Sequence, residues 1–141
     1  MAKGSIEVDW VRDEIFVGMD SNGRSVVIGK APGEEPEFRG VKASHLLLIS
    51  LAACSAHDVV AIFQKQKQQV KSFRVVVDGE QEETAPWKFT NINICYKLTG
   101  RDLNEAFIKR AIELSQEKYC SVYATLRDAV KITSQYEIKS E

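Results

Sequence analysis

The run Leu46-Leu47-Leu48-Ile49-Ser50-Leu51-Ala52-Ala53 is apolar on every face, and a helix of that kind must be surrounded by protein. Ser44 offers an N-cap before it. The character turns polar only from Gln64 to Gln69, where Lys65 and Lys67 suit the C-terminal end of the helix dipole. Unbroken from Ser44 to Gln69, such a helix is about 37 Å long, which is long for a chain of 141 residues. A long helix buried along half its length predicts that a second chain helps to cover it.

The bulk numbers narrow the class of protein around that helix. The chain is 44% hydrophobic and 28% charged, as ordinary globular proteins are, and its length suits one domain over 1–141. A net charge of −1 gives no pull toward nucleic acid or anionic lipid, so neither is expected as a partner. The N-terminus has no apolar stretch of signal-peptide type, and Leu46–Ala53 is far shorter than the about 20 residues that cross a bilayer. The expected location is the cytoplasm. Three cysteines there are not a disulfide scaffold; they are metal ligands, redox groups or core residues.

Before the helix the pattern is β. Ile6, Val8 and Trp10 alternate with Glu7, Asp9 and Val11, and Ile15–Met19 continues the pattern after a break at Arg12-Asp13. Asn22-Gly23 predicts a type I′ hairpin turn, with Ser25–Ile28 as the returning strand. Gly29–Gly40, with Pro32 and Pro36 among Glu34, Glu35 and Glu37, predicts an exposed, mobile loop. After the helix, Phe73, Val75 and Val77 predict one strand and Ile92, Ile94, Tyr96 and Leu98 another. Asp102 and Glu105 resemble a capping box for a second helix, with Leu103, Phe107, Ala111 and Leu114 as its apolar stripe. Tyr119–Val122 interrupts that helix, a shorter helical piece runs to Arg127, and Ile132, Tyr136 and Ile138 form a last strand. The order β-β-β-α-β-β-α-α-β predicts an α+β fold with antiparallel sheets.

Cys54 lies inside the apolar helix. One reading makes it a small core hydrophobe. The other notes that Ala52, Ala53, Ser55 and Ala56 leave space beside the sulfur, and that His57 and Asp58 share its helix face and make it polar. Cys120, at the break after the second helix, is either a core residue or a thiol presented at a helix end. Cys95, on a strand face with Asn93 and Lys97, reads as incidental. A metal site is not expected. No paired C-x₂-C ligands occur, and the helix between them holds His45 roughly 18 Å from His57.

Lys42 through Cys54, an apolar run ending in two small residues and a cysteine, resembles the helix motif of the OsmC/Ohr family. Glu117-Lys118-Tyr119-Cys120-Ser121-Val122 resembles its second motif, a helix end followed by Cys-Pro-Val or Cys-Ser-Val. The element order also agrees, over nearly the whole chain. Phe63-Gln64-Lys65-Gln66 and Leu98-Thr99-Gly100-Arg101-Asp102-Leu103 bring it nearest to the YhfA-like branch.

The resemblance implies an OsmC-like fold, with antiparallel sheets wrapped around two long central helices in an interwoven homodimer. It also implies a thiol peroxidase acting on organic hydroperoxides, with hydrogen peroxide as a second substrate. Cys54 would be the attacking thiolate, Cys120 its disulfide partner and a dithiol the reductant, with no cofactor and no metal. Leu47, Leu48 and Leu51 are the expected apolar wall for substrate. Cys54 is too deep in its helix for help from that helix's N-terminus, so a cation is expected beside it: Arg39 first, Arg24 second. In the family a glutamate holds such an arginine; here Ser44 and His45 stand in its place, leaving Glu35 or Glu37 as substitutes and His57 as a base. The other readings of the chain are a non-enzymatic dimer that binds a small apolar ligand or senses redox state, and a structural dimer with inert cysteines.

Overall fold

The alternation at the start of the chain becomes an antiparallel meander of β1 (Ile6–Arg12), β2 (Glu14–Asp20) and β3 (Ser25–Lys30). A computed structural model describes residues 4–30 and 39–141, which divide into two compact units, 1–47 and 48–141. The core of the predicted loop, including Glu35 and Glu37, lies outside the described residues.

In the first unit β1 and β2 meet at Asp13, whose φ of 48° makes the tight turn. The second hairpin differs from the predicted type I′ geometry, since Gly23 takes a positive φ (78°) and Asn22 does not. The reason is Asp20. Its Oδ1 accepts the N–H groups of Asn22 and Arg24, each at 2.9 Å, and its carbonyl accepts that of Gly23 at 3.1 Å. An aspartate closing its own backbone turn in this way fixes Asn22 on the negative-φ side. Gly29 is needed for a different reason: its φ is 100°, and a Cβ there would stand 1.9 Å from the Glu14 carbonyl oxygen.

The apolar run lies in α1 (Ala43–Lys65), about 34 Å long at 1.5 Å per residue. The helix starts ahead of Ser44, which therefore lies in the first turn instead of capping it. It also stops short of Gln69. Lys67 takes a left-handed φ of 55°, its N–H reaches the Gln64 carbonyl, and the N–H of Gln68 reaches that of Phe63, so the last carbonyls are closed off. By length and apolarity the whole of α1 matches a bilayer-spanning helix, unlike the shorter run read from sequence. Its buried positions, Leu51, Ser55, Val59 and Phe63, recur every fourth residue and form a single row.

That row packs on the sheet of the second unit. β4 (Gln69–Gln81) pairs antiparallel with β5 (Phe89–Arg101), and β6 (Lys131–Ser140) takes the other edge of β5. β6 runs parallel to β5, with Ile92 opposite Ile132 and Tyr96 opposite Tyr136, which corrects the all-antiparallel expectation. The helices between β5 and β6 form a crossover that returns the chain to the end where β5 began. As the central strand, β5 buries Ile92, Ile94, Tyr96 and Leu98 on the face toward α1.

Helix α2 (Glu105–Leu114) begins two positions later than the Asp102 cap predicted. Asp102 sits in a left-handed turn (φ 51°), and Asn104 is the cap, its Oδ1 accepting the Phe107 N–H at 3.2 Å. The buried face is accordingly Ile108, Ala111 and Ile112, while Phe107 is exposed. A wide π-type turn, Ser115–Tyr119, follows. Cys120 is extended, and α3 spans Ser121–Leu126, as the predicted break requires.

In the middle of this apolar core lie three hydroxyls. Ser55 Oγ is 2.6 Å from the Tyr96 hydroxyl and 3.0 Å from Ser115 Oγ, and Gln116 donates to Tyr96 at 3.3 Å. Tyr96→Phe removes one hydroxyl while Ser55 keeps Ser115. It is expected to lower stability by about 1 kcal/mol, read as a lower urea midpoint with an unchanged slope.

Candidate active site

Ser55 faces the core, and the residue before it, Cys54, is turned a third of the way round α1 to a half-buried position. Ser115 opens the π-type turn, whose wider winding lets the Cys120 N–H return to the Ser115 carbonyl at 2.7 Å. Cys120 then caps α3. Its backbone is extended (φ −78°, ψ 105°) and its Sγ accepts the Tyr123 N–H at 3.4 Å. The result brings Cys54 and Cys120 together from opposite ends of the second unit. Cys54 Sγ lies 3.8 Å from Ser121 Oγ, and Cys54 Sγ, Cys120 Sγ and a carboxylate oxygen of Asp58 all lie within 4.8 Å of one another.

The two thiols sit in opposite electrostatic states. Burial pushes the Cys54 thiol up, but the Val122 N–H, the Cys120 thiol, and the Ser121 hydroxyl and N–H outweigh it, so Cys54 ionises below its ordinary value. Burial pushes Cys120 up as well. The Tyr123 N–H opposes this, but Cys54 and the negative charge of Asp58 reinforce it, and Cys120 ionises only at about 11. Of the two thiols, Cys54 is therefore the one that gives up its proton first. The expected activator of Cys54 was a cation. The groups around it in its own unit are instead the first N–H groups of α3, a different helix from the one that carries it.

The other expected site residues are placed as follows. His57 is 86% exposed, with Nδ1 3.9 Å from Asp58 Oδ1. Arg24 and Arg39 belong to the first unit, where the backbone N–H of Arg24 is held by Asp20 and that of Arg39 by the Gly29 carbonyl. Leu47 is exposed and also belongs to the first unit; Leu48 packs against the core of the second. Leu51 has no exposed surface, so it serves the core instead of a substrate wall, because the row Leu51–Ser55–Val59–Phe63 is the face turned to the sheet. Cys95 is buried in β5.

Sequence reasoning placed Asp58 on the Cys54 face but gave it no role. It named Ser121 and Tyr96 only as a motif residue and a strand residue, and did not single out Ser115. The only signal for Ser115 was a serine on the buried side of an amphipathic helix.

A groove of about 290 Å³ opens beside Asp58, between α1 and the end of α2. Ile62 and Leu114 give it apolar walls, and His57, Lys65 and Tyr119 its polar rim. Among the described residues, Cys54, Asp58 and Cys120 are also the group able to hold a metal ion.

The family model described as OsmC-like protein matches residues 34–135. Protein YhfA of Escherichia coli (strain K12) is 39% identical over 131 residues, covering 93% of this chain and 95% of that protein. Among solved structures, that of a hypothetical protein from Aquifex aeolicus VF5 superposes with a TM-score of 0.87 at 28% identity, covering 100% of this chain and 99% of the other. The organic hydroperoxide resistance protein OhrB of Bacillus subtilis shares the fold, with a TM-score of 0.64 at 13% identity over 96% of this chain and 98% of its own.

The asymmetry of the thiols has a direct readout. With iodoacetamide at neutral pH, Cys54 is expected to be alkylated first, with a rate that levels off at lower pH than for a simple thiol. Cys120 should stay unmodified until the solution approaches its own ionisation near 11. Peptide mass spectrometry across a pH series checks both; equal rates at the two cysteines would contradict the arrangement.

Proposed function

The chain belongs to the OsmC-like protein family, and from that premise we propose that it is a thiol peroxidase reducing organic hydroperoxides through Cys54 and Cys120. The family's role is redox or peroxide-related, and it includes peroxidase-like proteins. The observation that carries the finer reading is the pairing, within 4.8 Å, of a thiol that ionises below its ordinary value with one that ionises only at about 11. A nucleophile must be a thiolate, whereas its partner has to wait.

In this reading the Cys54 thiolate attacks the terminal oxygen of the hydroperoxide. The O–O bond breaks, the alcohol leaves with a proton, and Cys54 becomes a sulfenic acid. Asp58 takes the proton from Cys120, whose sulfur attacks that of Cys54. Hydroxide departs and leaves as water with that proton, and the disulfide remains. Two electrons have passed from two thiols to one O–O bond. A dithiol reductant restores both thiols by exchange, a cycle suited to a reducing compartment such as the cytoplasm. The Ile62 and Leu114 walls of the neighbouring groove favour an apolar peroxide tail.

The same reading includes a homodimer. α1 buries one row of residues in its own chain, and Leu47, Ile49 and Val60 stand exposed beside it. A helix that is apolar on every face is ordinarily surrounded by protein.

Three outcomes are expected. With dithiothreitol the protein consumes cumene hydroperoxide faster than hydrogen peroxide, and Cys54→Ser abolishes both. In a single turnover without reductant, Cys120→Ser stalls as a sulfenic acid trapped by dimedone. Asp58→Asn keeps the first step but slows disulfide formation about a hundredfold. Wild-type protein that consumes no peroxide while Cys54 is free would overturn the enzymatic reading and leave redox sensing or binding of a small apolar ligand. In the ultracentrifuge the protein should sediment at twice the mass of one chain, and Ile49→Glu should return it to one.

A further inference from the structure

Cys54 and Cys120 bring a third donor with them. Asp58 lies one helical turn beyond Cys54 on α1, and its carboxylate reaches both sulfurs, every pair of the three atoms lying within 4.8 Å. In a tetrahedral shell with metal–sulfur bonds of about 2.3 Å, two sulfurs stand about 3.8 Å apart. The set therefore needs to contract by only about 1 Å to close on an ion. The donors come from a helix face and a helix cap, both fixed by the core behind them.

The surroundings of these atoms are those that metal ligands require. Ser115 donates to Asp58 Oδ2 at 3.3 Å and is itself bonded to buried Ser55. The Tyr123 N–H donates to Cys120 Sγ at 3.4 Å, and Ser121 Oγ stands 3.8 Å from Cys54 Sγ. Hydrogen bonds of this kind orient ligating carboxylates and sulfurs and tune them. A dication takes the place of the Cys120 proton and offsets the repulsion that two thiolates and a carboxylate would otherwise have at this range. Two sulfurs also set the class of ion, since thiolates select zinc-like and softer metals over magnesium or calcium.

We propose that the reduced protein binds one thiophilic ion of the zinc(II) class through Cys54, Asp58 and Cys120, leaving a fourth position open on the half-buried Cys54 side. The ion and the disulfide are then alternative uses of the same two sulfurs. When a hydroperoxide oxidises the loaded site, two thiolates, one hydroperoxide and two protons give the disulfide, one alcohol, one water and the released metal ion. The site does not rest on catalytic turnover, because binding needs only the reduced thiols.

The test titrates zinc(II) into the anaerobic, reduced full-length protein against a chromophoric chelator. One equivalent per chain is expected, with affinity lowered at least about tenfold in both Cys120→Ser and Asp58→Asn. Cys95→Ser should bind like wild type, magnesium should not compete, and the disulfide form should bind none. X-ray absorption of the wild-type zinc complex, which needs no variant to fold, must show two sulfurs in the shell. A shell of oxygen and nitrogen alone, or equal affinity in wild type and both ligand variants, marks adventitious surface binding and overturns the site. A protein that binds zinc but consumes no peroxide keeps the metal site and loses the peroxidase reading; the reverse result removes the metal site alone.

Discussion

The position of both thiols depends on one buried hydrogen-bonded chain, Tyr96–Ser55–Ser115. The core around it is apolar, with Phe63 and Phe73 packed beside Tyr96, and apolar burial as such has no direction. Hydroxyls at 2.6 and 3.0 Å do have one, because a buried oxygen that loses its partner costs about 1–3 kcal/mol. The chain thus fixes the rotation of α1 against β5 and against the end of α2 together. Cys54 directly precedes Ser55, and the Cys120 N–H closes on the Ser115 carbonyl. One set of directional bonds therefore decides where two sulfurs from distant parts of the sequence meet.

The electrostatics follow from what that meeting brings along. Cys54 is too far into α1 to feel the positive end of its own helix, whose effect fades within a turn. Cys120 ends the π-type turn and starts α3, so the unpaired N–H groups of Ser121 and Val122 arrive beside Cys54 with it. Cys120 carries its neighbour's activation and is itself held protonated by burial, Cys54 and Asp58. A division of labour between two chemically identical side chains comes from helix geometry, without an arginine from the same unit.

Much of this was legible in the sequence, and the limits have physical causes. Alternation in Ile92–Leu98 and the apolar run of α1 mark a strand and a helix, so these elements and the break at Tyr119–Val122 were readable. A run apolar on every face did not show that Leu51, Ser55, Val59 and Phe63 form the buried row. Alternation says nothing of the direction in which a partner runs, and the parallel pairing of β6 was therefore misread. Caps are decided by one or two dihedral angles. Asp102 and Asn104 are equally good caps by composition, and only the left-handed turn at Asp102 separates them. The two cysteines stood out because each sits in a distinctive local setting. Asp58 was marked by its spacing from Cys54, but the contacts of Ser115 and Ser121 with α1 join residues far apart in the chain, and no local pattern marks those.

The open side of α1 is the remaining constraint. The helix has the length and apolarity to span a bilayer, yet lipid fits it poorly. Asp58 and His57 stand near its middle, where an uncompensated charge in hydrocarbon costs at least about 2.5 kcal/mol, and Ser55 commits one face to the Tyr96 sheet. Ile49 and Val60, on the side of α1 turned away from the buried row, are exposed, and any surface that covers them has to tolerate the charged residues nearby. A protein surface is able to do both, which a hydrocarbon layer is not. Cys54 lies between that open side and the core, so covering the helix also dries the thiolate. A drier site strengthens the N–H bonds from α3 on which the ionised sulfur depends.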